Sequence, residues 1–249
     1  MIDFFKITIY EPLYNLLVFF ISVVPGGNVG VAVVLLTIVV KVILFPLYQK
    51  SLRSQMVMKE IEPKMKALQE KFKNNREELA KKTFALYKEN SINPFTGILL
   101  LFIQLPILLS LYFVFANGLI NHSGTLYPIV SYPEVVSNTF LGILLDQKNN
   151  IILAVLVGIT QFFQARLTFP KEKPKIPTRN PASFQEEFAK SMRIQILYIL
   201  PLFITVVSYY LPAVLSLYWV TSNLFSIAQE IYIRNERRAP SPQEPATNS

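Results

Sequence analysis

The chain has 249 residues, no cysteine, one histidine and a net charge of +8 from 24 basic and 16 acidic side chains, yet 52% of it is hydrophobic and its mean hydropathy is +0.38. Zero cysteine excludes disulfide frameworks, thiolate metal sites, cysteine nucleophiles and a lipoprotein-type anchor, and a single histidine argues against a histidine-based metal centre. With charged residues at only 16%, charge and apolarity must occupy different stretches, which argues against a basic soluble nucleic-acid-binding domain.

In chain order, residues 1–28 read as an external interfacial segment. The mainly apolar run, Leu13 to Val24, is short and follows Lys6, Glu11 and Pro12. Residues 3–24 are therefore expected to form an amphipathic helix lying at a membrane interface, with a Pro25-Gly26-Gly27 turn after it. A short sixth span or a signal peptide are the alternatives; Asp3, Glu11 and the bulky Val23-Val24-Pro25 end weigh against the latter. Five longer apolar runs follow, at 29–47, 97–116, 151–169, 194–211 and 213–233. At 1.5 Å per residue each reaches roughly 27 to 31 Å, enough for a hydrocarbon core of about 30 Å. The expected fold class is an all-α membrane protein with five transmembrane helices.

Loop charge sets the expected orientation. Residues 48–96 hold eleven Lys and Arg and residues 170–193 hold six, whereas residues 117–150 hold only Lys148. Under the positive-inside rule the two basic loops and the C-terminus are cytoplasmic, and the N-terminus and the 117–150 loop are external. The 48–96 loop reads as a cytoplasmic helical hairpin. Ile61, Met65, Leu68 and Phe72 form one apolar stripe, Asn75 and Glu78 resemble an N-cap pair, and Ala80, Phe84 and Tyr87 continue the spacing in a second helix. Its basicity suits anionic lipid headgroups or a ribosomal RNA surface. The 170–193 loop, with its four prolines, is expected to be mobile, and the 234–249 tail disordered. His122 is assigned no chemistry.

Lys41 is the most informative residue. It lies about 9 Å from the cytoplasmic end of the first span by rise per residue, where a lysine costs about 2.5 to 3.5 kcal/mol on insertion scales. Snorkelling to the interface is one explanation. Against it, helical side chains lean toward the N-terminus, which here points deeper, and Thr37 continues the polar strip one turn earlier. Ser216, Asn223, Ser226 and Glu230 mark one polar face of the last span, flanked by Ser222 and Gln229, while Gln104, Gln161 and Gln164 lie in the second and third spans. Such groups serve as interhelical glue or, together with a buried cation, line a water-filled groove open to the cytoplasm. The second and fourth spans offer mainly apolar surface, with lipid contact as the default role.

The chain resembles the YidC/Oxa/Alb family of membrane-protein insertases. The resemblance is carried by the run from Thr37 to Leu47 with its intramembrane cation, Glu62-Pro63-Lys64-Met65, Leu86-Tyr87-Lys88, Asn93-Pro94, Gln104-Leu105-Pro106-Ile107, Leu211-Pro212-Ala213, Leu217-Tyr218-Trp219-Val220 and Ser222-Asn223. It implies five helices around a hydrophilic groove, an interfacial helix, a cytoplasmic hairpin and location in a bacterial cell membrane. It also implies a non-enzymatic activity without cofactors: inserting nascent membrane proteins, alone or beside the Sec translocon, with the ribosome as a further partner and no specific DNA. On this resemblance Lys41 is the groove cation contacting substrate, Thr37, Gln104, Gln161, Gln164, Ser222, Asn223 and Ser226 line the groove, and Ile103, Ile107, Leu200 and Phe203 form a substrate slide. The family's usual groove cation is arginine, so lysine here keeps the charge but loses the guanidinium fork. The chain looks like a short form, without the extra first span and large outer domain of Gram-negative members. A transporter with Lys41 as anion site would be expected to show two related repeats, and none is convincing. An intramembrane enzyme would need a nucleophile and base pair that the sequence does not offer.

Overall fold

The computed structural model describes residues 2–73, 75–93, 96–116, 126–168, 191 and 193–238. His122, nearly all of the 170–193 loop and the tail beyond Arg238 lie outside them. In chain order the elements are α1 (Ile2–Phe5), a π-helical turn (Lys6–Tyr10), α2 (Glu11–Val23), α3 (Val29–Ile43), α4 (Phe45–Glu60), α5 (Glu62–Lys71), α6 (Arg76–Glu89) and α7 (Thr96–Ala116). A two-stranded hairpin, β1 (Thr139–Phe140) with β2 (Ile143–Leu144), precedes α8 (Ile151–Thr168), a π-helical turn (Gln195–Ile199), α9 (Leu200–Tyr210) and α10 (Ala213–Arg238). The chain forms two compact units, residues 1–41 with 108–249, and residues 42–107.

The larger unit is helical because its apolar residues recur at helical spacing. In α2, Leu13, Tyr14, Leu17, Val18 and Ile21 make one buried stripe. Helix continues back through Lys6, so Asp3–Val23 is 21 residues with a mean hydropathy of 1.4. The short apolar run in the sequence thus understates this helix, which is long enough to cross a membrane. Asn28 caps α3 by accepting the Val31 amide at 3.0 Å. The 29–47 run divides in the structure: α3 ends at Ile43, and α4 restarts at Phe45 with Pro46 in its first turn. A proline costs little there, because a first-turn N–H has no intrahelical partner anyway.

By length and composition, two helices among the described residues can each cross a membrane, Asp3–Val23 and Ile151–Thr168. A third follows if α3 and α4 are one broken span, and Ile103–Ala116 and Gln195–Tyr210 are shorter apolar helices. α10 is 26 residues long but carries Asn223, Gln229 and Glu230 in its apolar stretch.

Residues 126–150 are stitched to helix ends of the same unit. The Ala213 and Val214 amides, orphan donors at the start of α10, reach Gln147 O at 2.8 Å and Leu145 O at 2.9 Å. At the end of α9, Tyr209 O accepts the Asn149 amide at 2.8 Å. Val29 N donates to Ser137 O at 3.0 Å, Ser137 N to Gly27 O at 2.9 Å, and Asn15 Oδ1 in α2 accepts the Tyr127 amide at 2.7 Å. Gly27 has a φ of +59°, and any Cβ there would overlap the Val135 carbonyl oxygen. Gly27→Ala is therefore expected to destabilise the protein by about 2 kcal/mol or more, measured as a lower melting temperature in detergent.

In the smaller unit, α5 and α6 pack around Ile61, Leu86 and Ile92, with Met65, Leu68 and Tyr87 against them. Asn75 Oδ1 accepts the Glu78 amide at 3.0 Å and starts α6. The phase of α6 differs from the sequence expectation. Leu86 faces the cluster and Thr83 Oγ1 meets Met65 Sδ at 3.6 Å, whereas Ala80 is exposed and Phe84 is 63% exposed. Two overlapping apolar spacings coexist in this helix, and packing against Ile61 selects the one through Leu86.

Candidate functional site

Lys41 lies in the last turn of α3, and its side chain reaches α10, where Nζ donates to Ser226 Oγ at 3.0 Å. Among the described residues its ammonium makes no ion pair. One hydroxyl satisfies only part of a group with three donors. Thr37, one turn earlier, is fully buried, and its hydroxyl is already used by Val33 O of its own helix at 2.7 Å.

Facing Lys41, α10 presents a continuous polar strip. Ser222, Asn223, Ser226, Gln229 and Glu230 are all buried, at the three- and four-residue spacings that share a helix face. Asn223 Nδ2 donates to Thr160 Oγ1 of α8 at 3.1 Å, and Thr160 donates in turn to Leu156 O at 2.8 Å. Lys41, Ser226, Ser222 and Asn223 thus belong to one region of the larger unit. Gln161 and Gln164 are half-buried on α8. Gln104 is half-buried in the smaller unit.

Toward the end of α8 the strip becomes an ionic clamp. Glu230 is wholly buried; its Oε1 accepts from Arg234 Nη2 at 2.7 Å and Nε at 3.1 Å, and its Oε2 accepts from Thr168 Oγ1 at 2.9 Å. Arg234 Nη2 also donates to Leu167 O at 2.6 Å, tying the last turn of α8 to α10. The sequence reading places Glu230 on the polar face; the available signal for its partner Arg234 was their i,i+4 spacing. Gln229 differs, since both polar atoms of its amide are buried without a hydrogen-bond partner among the described residues.

The slide residues divide as well. Leu200 and Phe203 lie on the outward face of α9, Phe203 at 61% exposed, beside an apolar cleft of about 350 Å³ lined by Gly158, Ile159, Phe162, Leu202 and Thr205. Ile103 is half-buried and Ile107 is buried, while the outward residues of that helix are Leu105, Leu109 and Phe113 at intervals of four. Apolar content alone does not give a helix's rotation. Among the described residues no group of three or more His, Asp or Glu gathers as metal ligands.

A helical chain with long apolar elements, in which a lysine of one apolar helix bonds to a serine of another, has the character of a membrane protein. Sequence comparison is more specific. The profile of the family described as 60Kd inner membrane protein matches residues 19–240, and the chain belongs to that family. It is 35% identical over 207 residues to "Membrane protein insertase YidC" of Clostridium tetani, covering 83% of this chain and 82% of that protein. It is 33% identical over 224 residues to "Membrane protein insertase YidC 2" of Listeria innocua, covering 88% of this chain and 68% of the relative. The crystal structure titled "Active YidC insertase crystal structure with the first transmembrane domain resolved" aligns with a TM-score of 0.56 and 25% identity, over 88% of this chain and 45% of that one.

Two stability effects of opposite sign are expected. Glu230→Ala strands Arg234 and should cost about 3 kcal/mol, and the Glu230→Ala, Arg234→Ala double variant less than the sum of its parts. Gln229→Leu removes two unpaired buried groups and should gain about 1 to 2 kcal/mol. Thermal unfolding in detergent measures both.

Proposed function

We propose that this chain inserts nascent membrane proteins into the bacterial cell membrane through a hydrated groove centred on Lys41. The observation that carries the reading is the Lys41–Ser226 contact at 3.0 Å, made by an ammonium with no ion pair among the described residues. A lysine neutralised by a carboxylate would be a structural strut. One held by a hydroxyl keeps its field for an incoming anion.

In this reading five helices span the membrane, with the C-terminus and the 48–96 loop cytoplasmic and the 117–150 loop external. Residues 3–24 lie along the outer interface or form a further short span. The groove lowers the cost of bringing a substrate's hydrophilic segment partway across, because its polar groups meet water and side chains instead of hydrocarbon. Lys41 attracts acidic residues of that segment, and Thr37, Gln104, Gln161, Gln164, Ser222, Asn223 and Ser226 line the path. The substrate's apolar segment then passes into lipid along a slide that includes Ile103, Ile107, Leu200 and Phe203. Hydrophobic burial, aided by the membrane potential acting on negative charge, drives the step. The basic hairpin receives the substrate and contacts anionic lipid or the ribosome, and the chain works alone or beside the Sec translocon.

Lys41→Met is expected to lower insertion of a substrate with an acidic outer tail about tenfold, equivalent to about 1.4 kcal/mol, while a neutral-tailed substrate is little affected. Lys41→Arg should retain activity. Protease protection of the outer tail in proteoliposomes reads both, and equal insertion by Lys41→Met and the unaltered chain would remove Lys41 from the mechanism.

A further inference from the structure

The hairpin of β1 and β2 turns on two residues, Leu141 and Gly142, with φ of 49° and 79°. Two consecutive left-handed residues make a turn that normally takes Asn-Gly or Asp-Gly, because a branched apolar side chain gains nothing from that backbone and is strained in it. Here the first position is leucine, and it is 87% exposed. Strain at the tip of a loop, with no packing inside the protein to offset it, points to an apolar surrounding outside the protein.

The position of the hairpin indicates which surrounding. A Cβ at Gly30, in the first turn of α3, would overlap the Phe140 ring, and Asn28 Nδ2 donates to Thr139 O at 2.9 Å. β1 therefore lies against the outer start of a helix that the proposed topology takes through the membrane, at the level where headgroups meet acyl chains. From Val135 to Leu145 the sequence carries no charge, so nothing in the segment favours water strongly. Leu144, partly exposed on β2, adds a second apolar side chain beside the tip.

We infer that the Leu141-Gly142 tip inserts into the outer-leaflet lipid and holds the external segment against the membrane surface. This rests on the proposed orientation, in which residues 126–150 are external. The anchored segment also carries Leu145, Gln147 and Asn149, whose backbone groups close the α9 and α10 ends. Lipid contact at the tip thereby supports the outer seal of the groove.

The chain's lack of cysteine makes the test direct. Leu141→Cys and Leu144→Cys are labelled with an environment-sensitive fluorophore in full-length protein, in phosphatidylethanolamine and phosphatidylglycerol vesicles containing lipids doxyl-labelled near the headgroup or near the chain end. Asp146→Cys serves as an exposed reference, and its labelling in intact cells by a membrane-impermeant maleimide reports the orientation. The expected result is external labelling at Asp146→Cys, with blue-shifted emission at the tip and stronger quenching by the headgroup-proximal doxyl lipid. External labelling with water-like, unquenched emission at both tip positions overturns the insertion while leaving the orientation standing. Labelling of Asp146→Cys only after permeabilisation overturns the orientation, and the inference with it. Leu144→Cys sits on regular backbone, so its result stands even where Leu141→Cys disturbs the turn.

Discussion

An ammonium inside an apolar helix has to be solvated by the protein, and Lys41 imposes that requirement on everything around it. Hydrocarbon would offer it nothing. Part of the requirement is met from α10, whose Ser226 accepts from Lys41 at 3.0 Å. Further along α10, Asn223 bonds to Thr160 of α8, and Glu230 to Thr168 of α8 and Arg234 of its own helix. These contacts form a polar seam that runs through α3, α10 and α8. Gln229 is the member of that seam left unpaired.

A second constraint acts at the helix ends. Backbone N–H and C=O groups left open at a helix terminus are costly wherever water is scarce. The 126–150 segment answers this by lending its own backbone to Gly27, Val29, Tyr209, Ala213 and Val214. The α9 and α10 hairpin is tightened further by Ser208 Oγ and Ser216 Oγ at 2.7 Å. A segment with almost no regular structure is held in place because the helices need its hydrogen bonds. The proposed anchoring of the Leu141 tip fits the same economy, since it would keep the loop's carbonyls where the helices use them.

Several features were legible in the residues. Lys41 stands out because a charge interrupts an otherwise apolar run, and the serines and asparagine of α10 share its chemistry at helical spacing. The Asn75 cap is readable because a side chain four atoms long can reach an amide three residues on. Other features were not. The α6 phase is ambiguous in sequence, as both Phe84 and Leu86 belong to plausible apolar stripes and only the fit against Ile61 separates them. The break at Leu44 is masked by the apolar residues on either side of it. The burial of Ile107 depends on the rotation of α7, which uniform hydrophobicity leaves undefined.

The sequence by itself determined the class of protein, the segregation of basic loops from apolar helices, and the lysine that interrupts an apolar helix, because each follows from local composition and from the energetic cost of charge in hydrocarbon. Tertiary structure alone decided the longer-range partners: that Ser226 holds Lys41, that Thr168 bonds Glu230, and that the 126–150 segment closes the ends of α9 and α10. Those contacts join residues as many as 185 positions apart. No periodicity encodes them, since they arise only once the helices have packed and each buried polar group has found, or in the case of Gln229 not found, a partner.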